Sequence, residues 1–208
     1  MSESPRLQPE WVAPRRAALL VIDLQVDFAA PEGAMARSGV DMKPVQAARE
    51  RIAELVEAAR TADVPCIFTR AVTSAERQTA IEAEGRARHG DPTPNICLAG
   101  THGVEFVEPR PREGELVITK QRYSVFSGTG LAETLKARGV DTVIFCGLTT
   151  ECCVQASAWD AFERDFHVLI AEDAVAAYEP ALHQAALRSL ELSGAILAPA
   201  EAFRVSWK

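Results

Sequence analysis

Five continuous apolar runs, separated by helical or loop-like sequence, constrain this chain more than any other feature. They are Ala17–Asp23 (AALLVID), Pro65–Arg70 (PCIFTR), Leu116–Lys120 (LVITK), Val143–Cys146 (VIFC) and His167–Asp173 (HVLIAED). A strand that is apolar at every position, rather than at every second one, is buried on both faces, as in a parallel sheet between helices. Three of the intervening segments have helical spacing. Val45–Ala62 places Ile52, Leu55, Val56 and Ala59 on one face; Leu131–Arg138 is closed by Gly139; Pro180–Leu192 has proline in its first turn. Ala195–Pro199 reads as a last short strand, with a helical tail to Lys208. Leu24–Gly33 and Asp91–Gly103 read as loops, and Thr73–Gly90 as polar and partly helical. The alternation predicts an α/β fold of three layers, α/β/α, around a mostly parallel sheet. With no repeat and no linker, residues 1–208 are expected to form one domain, led by an arm over Met1–Arg16 that contains three prolines.

Composition narrows the function. Hydrophobic residues make up 48% and charged residues 25%, which are globular values. A net charge of −7 with no basic stripe argues against a nucleic-acid partner. No apolar run approaches the roughly 20 residues of a membrane span. The first residues, MSESPRLQPEW, lack the apolar core of a signal peptide, so a cytoplasmic protein is expected. The five cysteines are an odd number, and Cys152 and Cys153 are neighbours that would bridge only under strain, so no disulfide framework is expected. The paired spacings of a zinc site are absent.

Thr142–Asp160 (TVIFCGLTTECCVQASAWD) holds the most informative turn. A buried strand breaks at Gly147, passes through Leu148, Thr149 and Thr150, and becomes a helix with Val154, Ala158, Ala161 and Phe162 on its apolar face. This places two cysteines at a helix start, where unpaired N–H groups and the helix dipole favour a thiolate. Ligands bind at the carboxyl ends of strands in open α/β sheets. Asp23 and Lys120 also end predicted strands and so share that edge. Alone, each has a bland reading: a turn-forming acid, a solvated lysine, a packed cysteine. An acid, a cation and a thiol on one edge together make a nucleophilic site. Cys66, Cys97 and Cys146 are read as packing residues, and either Cys152 or Cys153 can supply the thiol.

Four segments carry a resemblance: LLVIDLQVDF (Leu19–Phe28), LAGTHGVEFV (Leu98–Val107), VITKQRYSVFSGTGL (Val117–Leu131) and GLTTECCVQASAWDAF (Gly147–Phe162). In this order they resemble the isochorismatase-like cysteine hydrolase family, with its Rossmann-like topology. The family's spacing of glycine, threonine, cysteine and valine falls on Gly147, Thr150, Cys153 and Val154, so the resemblance selects Cys153. Consecutive helical residues point about 100° apart, and Cys152 is then expected to be a buried packing residue. The resemblance implies a catalytic triad of Asp23, Lys120 and Cys153. It also implies a cis peptide joining Leu148 to Thr149, with the N–H groups of Thr149 and Cys153 aimed at an oxyanion. By motif position, Gln25, Phe28, Tyr123 and Phe126 are expected to line the substrate pocket. Arg70 is left between clamping a substrate carboxylate and pairing structurally with Asp27 or Glu76.

The activity implied is hydrolysis of a C–N bond in a small non-peptide amide, ureido or carbamoyl compound through an acyl-enzyme on Cys153. The name-giving vinyl-ether hydrolases lack this cysteine. Family nicotinamidases hold a metal through an aspartate and histidines after the second strand; here that region reads FTRAVTSAERQ, so no metal and no cofactor are expected. The alternatives are a nicotinamidase or isochorismatase-type hydrolase, a non-catalytic binding protein and, less in keeping with vicinal strain, a thiol redox sensor. A homodimer or homotetramer is expected by resemblance alone.

Overall fold

The computed structural model describes residues 7–90 and 95–208. Residues 1–6 of the expected arm and residues 91–94 of the expected long loop lie outside it. In chain order the elements are β1 (Ala17–Ile22), α1 (Val26–Ala29), α2 (Ala34–Arg37), α3 (Lys43–Thr61), β2 (Cys66–Ala71), α4 (Ala80–Ala87) and β3 (Leu116–Lys120). There follow α5 (Leu131–Ala137), β4 (Thr142–Leu148), α6 (Gln155–Phe162), β5 (His167–Ala176), α7 (Pro180–Leu192), β6 (Ile196–Ala198) and α8 (Ala200–Ser206). The six strands are all parallel, in the order β3-β2-β1-β4-β5-β6. The direction of winding reverses between β1 and β4, so the crevice for a ligand opens beyond their carboxyl ends.

All six residues of β1 and all seven of β4 are buried. Their alternate side chains feed two separate cores. Leu19 and Val21 pack with Ile52, Leu55 and Val56 of α3 and with Phe203 of α8. Leu20 and Ile22 pack on the other face with Leu135 of α5, Ala158 of α6 and Leu190 of α7. Each buried leucine, isoleucine or valine is worth about 1.5–3 kcal/mol, so the two central strands anchor both layers. The arm is packed where it is described: Val12 is buried, Trp11 stacks on His167 at 5.8 Å, and Trp207 Nε1 donates to the Val12 carbonyl at 2.9 Å.

Three expectations need correction. Leu24–Gly33 is not only a loop, since α1 lies within it. Its Asp27 is buried and accepts the N–H groups of Ala34 (3.0 Å) and Cys97 (2.7 Å), partners that local sequence does not reveal. β5 runs on to Ala176, past the expected end at Asp173, because its last residues pair with Gly147 and Leu148 of β4. Phe162 is 47% exposed rather than buried with Val154, Ala158 and Ala161, because α6 ends there.

Gly147 fixes how closely β1 and β4 approach. Its φ is +109°, and a Cβ there would lie 2.1 Å from the Ile22 carbonyl oxygen. Gly147→Ala is expected to lose at least about 2 kcal/mol of stability, from overpacking plus backbone strain. Denaturant unfolding checks this, and a wild-type midpoint would refute the close-approach argument.

Candidate active site

Three strand ends meet at the switch in the sheet. Asp23 follows β1 directly with a left-handed φ of 47°, and it is fully buried. Its backbone N–H donates to Thr69 Oγ1 (3.1 Å), and the same hydroxyl donates to Asp23 Oδ1 (2.7 Å). Thr69 and Ala71 of β2 alternate with Arg70, so they face one side of the sheet and Arg70 the other. Lys120 is registered with Ala71, and its side chain is 1% exposed. Lys120 Nζ lies 2.7 Å from Asp23 Oδ2, donates to Cys153 Sγ at 3.2 Å, and donates to the Arg122 carbonyl at 3.1 Å. Asp23, Lys120 and Cys153, expected from sequence to lie together, are thus in one buried chain of contacts.

The turn that carries the thiol is unusual. The Leu148–Thr149 peptide is cis, at the expected position. The opening turn Thr150–Val154 is π-helical before α6 takes over. The Thr149 carbonyl accepts the N–H groups of Cys152 and Val154, at 3.1 Å each. Thr150 Oγ1 meets His183 Nδ1 of α7 at 2.9 Å, which ties the turn to the neighbouring helix.

The electrostatics differ from the sequence expectation of a ready thiolate. Asp23 Oδ2 faces the Lys120 ammonium but receives no properly angled hydrogen bond from any described residue. Burial alone would lower the Lys120 pKa; Asp23 and Cys153 outweigh it, so the net direction is upward and the ammonium stays charged. The hydrogen bond with Cys152, burial and the Asp23 carboxylate push the Cys153 thiol well above the ordinary range, against the opposing pull of Lys120. The Cys153 sulfur thus rests against the ammonium of a buried ion pair.

Lys120 and Cys153 line an open cavity of about 850 Å³; Asp23, buried against Lys120, is not part of its wall. Phe28 and Tyr123 line it, as expected; Tyr123 is 68% exposed at the mouth. Gln25 and Phe126 do not. Gln25 is fully buried and clamps the end of β2, accepting the Ala71 N–H (2.7 Å) and donating to the Ala71 carbonyl (2.9 Å). Phe126 is a core residue stacked on Phe166 at 5.8 Å. Arg70 adopts neither expected role: it donates to Thr119 Oγ1 at 3.0 Å on the opposite side of the sheet and is absent from the cavity wall. Cys152, expected to be packed away, is half-buried and lines the cavity beside Cys153, because the π turn presents both neighbours. Cys66 and Cys146 are buried as expected; Cys97 is buried too but reaches the cavity wall. Sequence reasoning missed Thr69. Its signal was a lone hydroxyl in an apolar strand, legible only once β1 and β2 are paired.

Directly after β2 the cavity is lined by Ala71, Val72 and Thr73, none of them a metal ligand; Glu82 and His89 join the wall further on, from α4 and just beyond it. Among the described residues no three His, Cys, Asp or Glu side chains gather as metal ligands do, so the residues present do not fit a metal centre.

Comparison with known proteins gives the site its context. The ureidoacrylate amidohydrolase RutB of Methylobacterium radiotolerans is 31% identical over 202 residues, covering 89% of this chain and 77% of the relative. The structure of a cysteine hydrolase from Pseudomonas syringae pv. phaseolicola matches with a TM-score of 0.85 at 25% identity, covering 100% of this chain and 98% of that one. The pyrazinamidase of Pyrococcus horikoshii, solved in complex with zinc, matches with a TM-score of 0.75 at 31% identity, covering 88% and 99%. The model of the isochorismatase domain matches residues 17–202, and the chain belongs to the isochorismatase family.

Proposed function

We propose that this protein is a cysteine amidohydrolase that cleaves a C–N bond of a small non-peptide amide, ureido or carbamoyl compound through an acyl-enzyme on Cys153. The observation that carries the reading is the buried Asp23–Lys120–Cys153 contact chain, whose Lys120 and Cys153 reach the cavity. The amidohydrolase named among the relatives points to the same chemistry.

The geometry suits a general-base mechanism. As Sγ of Cys153 attacks the carbonyl carbon, its proton passes to Asp23 Oδ2, the carboxylate oxygen without a hydrogen-bond donor. The carbonyl oxygen becomes an oxyanion, for which the N–H groups of Thr149 and Cys153 are the assigned donors. Collapse breaks the C–N bond, and Asp23 returns the proton to the leaving nitrogen. A thioester remains. Asp23 then takes a proton from water, whose oxygen attacks the acyl carbon and releases the acid and the thiol. Lys120 stays protonated throughout, its ammonium 2.7 Å from the Asp23 carboxylate and 3.2 Å from the sulfur. Thr69 holds that carboxylate in place from its other oxygen.

The proposal includes a single hydrolase domain over residues 1–208 with an N-terminal arm, working as a cytoplasmic homodimer or homotetramer. Ile81, 82% exposed, and Tyr123 stand uncovered at the cavity mouth, where a second subunit would shield them. Light scattering should give a dimer or tetramer at micromolar concentration; a monomer would remove that part.

Ammonia release from a panel of ureido acids, carbamoyl compounds, linear amides, nicotinamide and pyrazinamide tests the activity. Release from the linear or ureido members, insensitive to a chelator, is expected. Cys153→Ala should lower it at least about 10³-fold, and Asp23→Asn or Lys120→Ala about 10²-fold or more, while Cys152→Ala keeps most of it. Full activity in Cys153→Ala would end the assignment, and chelator-sensitive release from nicotinamide would favour the metal-dependent reading.

The thiol's ionisation gives an independent check. Because Asp23 is among the groups that raise the Cys153 pKa, Asp23→Asn removes a negative neighbour and leaves the Lys120 charge to favour the thiolate. Iodoacetamide at pH 8 should label Cys153 faster in Asp23→Asn than in wild type, even as turnover falls. Slower labelling would contradict an Asp23 carboxylate that disfavours the thiolate. Peptide mass spectrometry separates Cys153 from Cys152.

A further inference from the structure

The formal charges on the cavity wall are balanced at every point but one. Lys120 is paired with Asp23. Asp160 accepts from Ser124 (2.6 Å) and pairs with Arg164 (3.0 Å). Glu82 has both oxygens engaged: Oε2 takes the backbone N–H and hydroxyl of Thr79, closing the capping box of α4, and Oε1 takes the Arg122 guanidinium. Arg86, one turn further along α4, is half-buried and also lines the cavity. Among the described residues no carboxylate lies within ion-pair distance of it. Its natural partner on its own helix face, Glu82, is already taken by Arg122.

We propose that Arg86 is a specificity-determining residue that receives a carboxylate of the substrate, so that the preferred substrates are small acids bearing their scissile amide or ureido group a short spacer away. A guanidinium presents a planar fork of donors that matches a carboxylate in bidentate fashion, and in a half-buried wall it is worth more than in water. The other formally charged side chains of the wall are paired, so the anionic end of a ligand finds an uncommitted formal charge at Arg86. Tyr123 and both thiols line the same cavity as Arg86. The Ile81 side chain, beside them at the mouth, offers an apolar surface for the spacer. The turnover arm of this inference rests on the hydrolase reading above; the binding arm does not.

The test compares wild type, Arg86→Gln and Arg86→Lys with two probe pairs. The first pair is N-carbamoyl-β-alanine and its methyl ester, read as kcat/KM. The second is N-chloroacetyl-β-alanine and its methyl ester, read as the rate of Cys153 alkylation by mass spectrometry. Wild type should prefer the acid in each pair. In Arg86→Gln the acid-to-ester ratio should fall about 10- to 100-fold, mainly through KM, and Arg86→Lys should recover part of it. An unchanged ratio in Arg86→Gln, or a wild type that prefers the esters, would overturn the assignment. So would a Cys153 that neither chloroacetyl reagent labels, since the cavity would then not admit such acids. If wild type turns over neither carbamoyl probe yet shows the alkylation preference, the hydrolase reading falters for this substrate class and Arg86 stands.

Discussion

A lysine and an aspartate, both almost without solvent, face each other at 2.7 Å where β1 and β3 end. Removing two such charges from water costs several kcal/mol each, and their attraction does not reliably return it. A pair of well-packed apolar side chains would stabilise the fold at least as well. The pair makes sense as chemistry: it sets a carboxylate and an ammonium side by side against a thiol. Much of the surrounding structure serves that arrangement. Thr69 fixes one carboxylate oxygen, and Gln25 pins the end of β2 beside it. Gly147 lets β4 come close enough to β1 for the thiol-bearing turn to reach them.

The site combines stiff and adaptable parts. Asp23 and the thiol turn follow β1 and β4, strands packed on both faces, while Lys120 is the buried last residue of the edge strand β3. The thiol turn is fastened to α7 through Thr150 and His183. The far wall is different. It comes from α4, an eight-residue helix with no buried residue, held by its Thr79–Glu82 capping box and the Arg122 pair. Few buried contacts hold such a segment, so it belongs to the low-stability end of the structure. Chemistry is built on the sheet and recognition on a helix that can change cheaply.

The fold was legible where the sequence signal is local. Uninterrupted runs such as AALLVID gave strands buried on both faces, and Pro180–Leu192 was bounded by its own proline and apolar spacing. The positions of Asp23, Lys120 and Cys153 followed from strand ends. What failed was non-local. Gln25 and Phe126 sit in motif segments, but their fates depend on Ala71 and Phe166, residues dozens of positions away. Cys152 was assigned a buried face by ideal helical geometry, which the π turn does not obey. Arg86 carries no motif at all, and its lack of a partner becomes visible only when Arg122 is seen taking Glu82.

The sheet order has a consequence for distance. β3 is separated from β1 by β2, and neighbouring strands lie about 4.8 Å apart, so an ammonium rooted on β3 must cross two strand spacings to meet a carboxylate on β1. Only a long, thin side chain does this while buried, and it needs a clear path. Ala71, the residue of β2 registered with Lys120, supplies that path by having almost no side chain. The separation of base, cation and nucleophile is therefore counted in hydrogen-bonded strand intervals. Drift in the loops and in α4 can alter which molecule is bound without moving the atoms that react with it.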